Sequence, residues 1–210
     1  MINNFSTSYH SMGYRAIIMR KLFHWTLFLY EKSSTFIAQI KFILWGVIYG
    51  KGVRIIGRII VFRTPESTIQ IGNHCIFNSS SKLNFRGINH PCILQTGAPH
   101  AKIMIGNHVE MSGTSIVSNH SVTIGNHVLI GANCQIGDRD GHSNRYKSSP
   151  KPILIENDVW LGMNVTVLKG VTIGEHSIIG ANSVVTKDIP ANSIAAGNPC
   201  SVIRTINSDI

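Results

Sequence analysis

His142 is the residue of this sequence best suited to proton transfer. It stands in the segment IGDRDGHSN, shortly after the carboxylates Asp138 and Asp140. A neutral imidazole is the natural general base near pH 7, and a neighbouring carboxylate can fix its tautomer. We therefore predict that His142 takes a proton from a hydroxyl or an amine, and that Asp140 orients its ring.

Five other histidines recur at one fixed position, three residues after a large aliphatic residue. These are His74, His108, His120, His127 and His176. The same position also holds Asp158, Asn164 and Asn182. A slot shared by histidine, aspartate and asparagine is typical of an exposed turn, because these residue types tolerate a left-handed backbone. We interpret these five histidines as exposed corner residues without a chemical role.

The element that positions His142 is a six-residue repeat. The large aliphatic residues stand at Ile155, Leu161, Val167, Ile173, Ile179 and Val185, and smaller residues follow four positions later at Val159, Val165, Val171, Ser177 and Ser183. A period of six fits neither a helix nor a plain alternating strand. It predicts a parallel β-helix, in which each hexad makes one strand and one corner and coils stack about 4.8 Å apart.

The repeat continues more weakly towards the N-terminus, with short insertions that shift its frame. The inward positions predicted there are Val53, Ile59, Pro65, Ile71, Phe77 and Leu83, then Ile93, Pro99, Ile105, Met111 and Val117, then Ile124, Ile130 and Ile136. With three hexads to a triangular coil, we expect six to seven coils. After Gly141 the frame breaks for thirteen residues before Ile155. This segment is rich in turn residues and must loop outward, which gives an extruded loop over residues 138–154 that carries His142.

The N-terminal segment, residues 1–50, differs from the repeat in charge and periodicity. Residues 1–60 carry +7 of the formal net charge of +9. Apolar residues at helical spacing from Tyr14 to Tyr30 predict one helix. A second apolar stretch over residues 36–49 follows Ser33, Ser34 and Thr35, any of which could cap it, and predicts another. The helices either cover the open end of the β-helix or rest on an anionic membrane surface through residues 14–49. Neither is long enough to span a bilayer.

Four cysteines stand at positions without a paired or metal-binding spacing. Cys75 and Cys134 fall on the smaller inward position of the repeat, while Cys92 and Cys200 lie elsewhere. We interpret all four as reduced core residues, as expected for a cytoplasmic protein.

Three segments together resemble a known family. They are the aspartate–histidine loop, PILIENDVWLGMNVTVLKGVTIG, and the tail IIGANSVVTKDIPANSIAAGNPCSVIRTI. Over residues 53–207 the sequence resembles the hexapeptide-repeat acyltransferases, which include maltose, galactoside and nodulation acetyltransferases and polysaccharide O-acetyltransferases. The resemblance implies an all-β core, a left-handed parallel β-helix over residues 51–207.

The resemblance also implies roles for individual residues. His142 matches the base that deprotonates the acceptor, Trp160 matches a wall of the site, and the Met163 N–H matches the donor to the oxyanion. Residues that match the coenzyme groove are Gly162, Gly180, Ala181, Thr186, Lys187 and Arg204, the last two facing phosphates. Where relatives carry an asparagine that holds the acceptor, this sequence offers Ser112 or Thr114.

These matches predict an O-acetyltransferase that uses acetyl-coenzyme A on a sugar hydroxyl of a polysaccharide, lipopolysaccharide or capsule precursor. We expect a cytoplasmic homotrimer, acting at the inner face of the membrane if the helices bind it, with sites between subunits and no required metal or nucleic acid. Alternatives are an amino-sugar N-acetyltransferase, a non-catalytic scaffold, and a zinc β-helix protein. The zinc proteins have a histidine pair five residues apart, and this sequence has none.

Overall fold

A computed structural model describes residues 14–140 and 149–206, which form one long helix followed by a stack of short strands. The helix, α1, spans Tyr14–Leu44. Sheet A contains β1 (Ile48–Tyr49), β4 (Thr68–Ile71), β7 (Lys102–Ile105), β10 (Ser121–Ile124), β13 (Ile153–Ile155) and β16 (Thr172–Ile173). Sheet B contains β2 (Arg54–Gly57), β5 (Ile76–Ser79), β8 (Glu110–Ser112), β11 (Leu129–Ala132), β14 (Trp160–Leu161), β17 (Ile178–Ile179), β19 (Ser193–Gly197) and β20 (Cys200–Thr205). Sheet C contains β3 (Ile60–Phe62), β6 (Ile93–Thr96), β9 (Ser115–Ser118), β12 (Gln135–Gly137), β15 (Thr166–Val167) and β18 (Val184–Val185).

The chain visits the three sheets in turn, so that every third strand stacks in parallel on the one before it. Ile124, Ile155 and Ile173 are in register across three successive coils of sheet A. Sheets A and C each contain six strands, and β19 adds a seventh parallel strand to sheet B. The predicted β-helix with an N-terminal helical segment is therefore confirmed, with a coil number inside the predicted range.

The core follows the six-residue repeat where that repeat is regular. Ile155, Leu161, Ile173, Ile179 and Val185 are each at most 1% exposed. Buried aliphatic side chains stack on their equivalents one coil away. Burial of each such side chain stabilises the fold by roughly 2 kcal/mol. The buried stack is continuous along the axis and forms one core.

The weaker frame was wrong at several positions. Ile93 and Val117 are half-buried on the outer face, and their neighbours Leu94 and Ile116 point inward with no exposed area. Pro65 and Pro99 are exposed at corners. Strands β6 and β9 each carry two adjacent aliphatic residues, so the alternation of strand side chains cannot tell which of the two faces the core.

Most of the recurring histidines occupy corners, as predicted. His74, His108, His127 and His176 are exposed and have φ between 56° and 59°, the conformation that Asp158 also adopts. The rings of the first three stack along the edge at centroid distances of 5.1 and 4.9 Å. His120 is exposed as well but does not share the left-handed conformation.

The N-terminal segment forms one helix, so the prediction of two helices was wrong. Ser33 and Ser34 were expected to cap a second helix. Their hydroxyls instead donate to the Tyr30 carbonyl, at 2.9 and 2.6 Å, which satisfies them inside a continuous helix.

The C-terminal half of α1 covers the first coil. Ala38 and Phe42 belong to the buried core, and the Ser34 hydroxyl shares its one proton between the Tyr30 carbonyl and the Ile55 carbonyl, which lies 2.9 Å away. Glu31 accepts two hydrogen bonds from the Arg54 guanidinium, at 2.6 and 2.9 Å. This half therefore caps the β-helix. No helix among the described residues combines the length and the apolar character needed to cross a bilayer.

The other end of the stack is closed by a reversal of the chain. Strand β20 pairs antiparallel with β19, opposite Ser193–Gly197. All four cysteines are buried and none forms a disulfide, which confirms their interpretation as core residues.

Candidate functional site

A groove with a volume of about 550 Å³ runs along the outer face of sheet B and is called the sheet-B groove below. It extends from the coil of β2 to the coil of β17, so its walls come from residues far apart in sequence. Its lining includes Ile76, Asn78, Arg86, Glu110, Ser112, Leu129, Gly131, Trp160, Gly162, Met163, Ile178, Gly180 and Ala181. The register of the coils brings the strand residues of this set to one face.

Trp160 is the largest side chain in the groove. It stands in register between Leu129 and Ile178 on the neighbouring coils and is 52% exposed. Met163 follows three residues later at the corner. Within the described part of the chain the Met163 N–H donates no hydrogen bond. Such a fixed donor beside an aromatic wall can bind an oxygen that develops negative charge.

The upper part of the groove, at the coils of β14 and β17, is formed by small residues, and its lower end lies at the coils of β5 and β8. A Cβ atom added to Gly162 would lie 2.6 Å from the backbone nitrogen of Ala181, and one added to Gly180 would lie 2.8 Å from the Ala196 Cβ. Glycine at these two positions therefore lets neighbouring coils stack closely. Gly162 and Gly180 also line the groove, so an extended ligand can lie against their backbone at this level.

The base of the extruded loop is held by Asp138. Its buried carboxylate accepts hydrogen bonds from the Ser118 hydroxyl at 2.7 Å, the Asn119 N–H at 2.7 Å and the His120 N–H at 2.8 Å. Its carbonyl accepts from the Lys151 N–H at 2.9 Å, which ties the two ends of the loop together. The sequence predicted the loop but not this role for Asp138.

The predicted base, His142, lies outside the described residues, because the structure does not describe residues 141–148. Asp140, expected to orient His142, is described and forms an ion pair with Lys169. Its role towards His142 stays a prediction.

The extruded loop and the sheet-B groove lie on different sides of the coil stack. The loop follows β12 of sheet C and precedes β13 of sheet A, so it emerges at the corner where these two sheets meet. In a three-sided stack this corner is opposite sheet B, which carries the groove.

Some of the predicted site residues line the groove and others do not. Ser112, Trp160, Gly162, Met163, Gly180 and Ala181 all line it. Thr114 has no exposed area, and its hydroxyl donates to the Ser112 carbonyl at 3.4 Å, so the structure contradicts an acceptor contact through its side chain. Thr186 and Lys187 follow the last strand of sheet C, and Arg204 lies on β20; all three are exposed but do not line the groove within one chain.

Sequence reasoning missed the polar residues at the lower end of the groove. Asn78 stands directly in register with Ser112, one coil away, and Glu110 lies on the same strand as Ser112. Asn78 could not be recognised from the sequence because the register between β5 and β8 spans a long interruption of the repeat.

That interruption is a second extruded loop, over residues 80–91, which supplies Arg86 to the groove. The Asn89 N–H donates to Asn133 Oδ1 at 2.9 Å, and the Asn133 amide donates to the Gly87 carbonyl at 3.2 Å. The loop is thus fastened over a neighbouring corner. Its run of asparagine, glycine and proline was the signal that could have revealed it.

One cluster of metal-ligating side chains is present among the described residues. Asp158, Glu175 and His176 bring potential ligand atoms within 4.8 Å of one another at an exposed corner, away from the groove. No other contact at this corner indicates a bound ion.

Two family models match the repeat. Residues 152–187 match the bacterial transferase hexapeptide of six repeats, and residues 121–137 match the hexapeptide repeat of succinyl-transferase.

Among curated relatives, the galactoside O-acetyltransferase of Escherichia coli (strain K12) is 48% identical over 99 residues, which are 44% of this chain and 48% of the relative. The galactoside O-acetyltransferase of Lactococcus lactis is 41% identical over 140 residues, which are 60% of this chain and 66% of the relative. The chain therefore spans about half to two thirds of the curated relatives that it matches.

Solved structures show the same architecture. A hexapeptide-repeat containing acetyltransferase from Vibrio cholerae is 25% identical with a TM-score of 0.55, over 83% of this chain and 82% of that one. A variant of an N-acyltransferase from Bacillus cereus is 19% identical with a TM-score of 0.63, over 80% of this chain and 89% of that one, and shares the fold. With the repeat, the groove and these relatives together, the chain belongs to the hexapeptide-repeat acetyltransferase family.

Proposed function

We propose that this protein transfers an acetyl group from acetyl-coenzyme A to a sugar hydroxyl, on a precursor of a surface polysaccharide, lipopolysaccharide or capsule. The observation that carries the proposal is the sheet-B groove. It combines an upper part of small residues, the exposed Trp160, a Met163 N–H that donates to no described residue, and a polar lower end.

The upper part of the groove would bind the coenzyme. Gly162, Gly180 and Ala181 leave room for the extended pantetheine arm beside the backbone, and Trp160 offers a flat apolar wall near the thioester. Lys187 and Arg204 are exposed cations near the C-terminal end of the stack and would pair with the coenzyme phosphates.

In the reaction, the acceptor oxygen attacks the thioester carbonyl while His142 takes the hydroxyl proton. The carbonyl oxygen becomes an oxyanion, and the Met163 N–H donates a hydrogen bond to it. A single preorganised donor of this kind contributes about 3 kcal/mol to the transition state. Collapse of the intermediate breaks the carbon–sulfur bond, and the imidazolium returns its proton to the thiolate.

The lower end of the groove would hold the acceptor. The Asn78 amide can both donate and accept hydrogen bonds, and the Ser112 hydroxyl lies beside it in register. A sugar carries adjacent hydroxyls that match such a pair. Arg86 and Glu110 add a cation and a carboxylate to the same end of the groove.

We further infer a homotrimer with sites between subunits. The described ends of the extruded loop lie at the corner opposite the groove, so we infer that the loop that carries His142 serves the groove of a neighbouring copy. Cyclic contacts of this kind bring one loop to each groove.

The test is release of free thiol from acetyl-coenzyme A by the purified protein, with a panel of nucleotide sugars, oligosaccharides and amino sugars as acceptors. We expect turnover with a hydroxyl acceptor, and His142→Ala should lower the rate about 10²- to 10⁴-fold with little change in coenzyme affinity. His127→Ala, at an exposed corner, is the matched control and should keep the wild-type rate. A His142→Ala protein with full activity would refute the assigned base, and turnover with amino sugars alone would replace O-acetylation by N-acetylation.

A further inference from the structure

The N-terminal half of α1 exposes an unusual amount of apolar surface. The large apolar residues at least 40% exposed between positions 17 and 30 are Ile17, Ile18, Met19, Leu22, Phe23, Trp25, Phe28, Leu29 and Tyr30. Ile17, Ile18 and Met19 are consecutive, so they point in directions about 100° apart around the helix. Exposed apolar residues thus occur on more than one side of this half of the helix, and apolar surface of this extent is normally covered by protein or by lipid.

The charges on this helix decide between these two covers. Arg20, Lys21 and Lys32 are exposed cations, whereas the acid of α1, Glu31, lies in its C-terminal half and is already paired with Arg54. A second copy of the helix would bring like charges together without acidic partners. An anionic bilayer supplies both an apolar phase and negative charge.

A second feature lies where α1 meets the first coil. A groove of about 410 Å³ there is lined by apolar residues, including Ile37, Ala38 and Ile59, and by the cations Lys41 and Arg58. No carboxylate among the described residues pairs with either cation. Burial, followed by the charge of Arg58, lowers the pKa of Lys41. Two adjacent cations beside apolar surface form a suitable site for the phosphate of an amphiphile.

We propose that α1 is a docking surface for an anionic phospholipid bilayer. Residues 17–30 lie in the interface with Trp25 and Phe28 below the headgroups, and Lys41 and Arg58 bind a lipid phosphate at the edge of the first coil. In this arrangement the helix lies along the bilayer surface. This docking does not depend on acetyl transfer.

The test uses the full chain, because Ala38 and Phe42 of α1 belong to the core and truncation would unfold the first coil. Flotation is measured with vesicles of phosphatidylcholine alone and with vesicles that contain one third phosphatidylglycerol. We expect the protein to float with the anionic vesicles only, and flotation to fall as salt screens the cations.

Two variants examine the two parts of the surface. Trp25→Glu combined with Phe28→Glu should lower vesicle affinity at least about 100-fold, since two large apolar groups leave the interface and two negative charges approach the lipid. Arg58→Gln should lower it about fivefold, the effect of one basic residue near an anionic surface. Both sites are exposed, so the fold should survive, which thermal melting verifies.

The matched controls lie outside α1 and the groove beside it. Phe85→Glu changes an aromatic residue that is 93% exposed, and Lys102→Gln changes an exposed cation on β7; both should float like the wild type. Equal flotation of the wild type with both vesicle types would overturn the proposal, as would unchanged flotation of the Trp25/Phe28 variant. Competition by inorganic phosphate that abolishes flotation would reassign the cation pair to free phosphate. A smaller assembly of the Trp25/Phe28 variant in sedimentation velocity would assign the face to a second copy.

Discussion

Replacing Asp138 by alanine should destabilise the protein by about 4 kcal/mol, although the residue lies on a loop. The carboxylate is fully buried and accepts three hydrogen bonds, from Ser118 and from the N–H groups of Asn119 and His120. Hydrogen bonds to a charged acceptor contribute about 1.5 to 3 kcal/mol each. The two N–H groups lie near an exposed corner where water can replace part of the loss, so the sum falls near the lower end of this range.

The measurement is urea unfolding followed by circular dichroism at one fixed protein concentration, because an assembled protein unfolds at a concentration-dependent midpoint. Asp188→Ala is the matched control. Asp188 is exposed and accepts one hydrogen bond, from the Thr172 N–H at 2.7 Å, so its loss should cost about 1 kcal/mol or less. If both variants shifted the midpoint equally, the argument that Asp138 holds the loop base would be refuted.

Three further predictions follow from other parts of the stack. Gly131→Ala should lower the melting temperature by an amount equivalent to about 2 kcal/mol, because its Cβ would lie 2.6 Å from the backbone of the next coil, whereas Gly137→Ala, with its nearest atom at 4.0 Å, should be tolerated. Burial raises the pKa of the Cys134 thiol to about 11, so a thiol reagent at pH 8 should label it only after unfolding. The free energy of unfolding should fall as the pH rises from about 9 to 11, because the unfolded chain loses this proton first. Rapid labelling of the native protein would contradict this. Hydrogen bonds from Arg54 lower the pKa of Glu31. Arg54→Ala should therefore lower the free energy of unfolding in urea by about 1 kcal/mol at most at pH 7, and this loss should vanish as the pH falls below 4.5. A loss independent of pH would show that the pair acts by packing alone.

The sequence predicted the regular part of the fold because each hexad repeats one physical requirement. From Ile155 to Val185 each sixth residue must fill the same position in the core. The prediction failed at Ile93, where either of two adjacent aliphatic residues satisfies the pattern. It failed again at Ser34, because a serine hydroxyl can cap a helix or bond within one, and the choice depends on the Ile55 carbonyl above it.

The site was predictable in its upper part and not in its lower part. Trp160, Met163 and Gly180 came from a resemblance to a family with long recognisable motifs. Asn78 and Arg86 depend on how an irregular loop sets the register between two coils, which no local pattern specifies.

The way α1 meets β2 has a consequence for aggregation. The outer edge of the first coil presents backbone groups that would otherwise await another strand. Thr35 Oγ1 accepts from the Ile55 N–H at 2.9 Å, Ser34 donates to the Ile55 carbonyl, and Lys41 donates to the Ile59 carbonyl at 3.2 Å. Because side chains satisfy these groups, a foreign strand cannot pair with Ile55, and extension of sheet B into a cross-β fibre is blocked where the repeat begins.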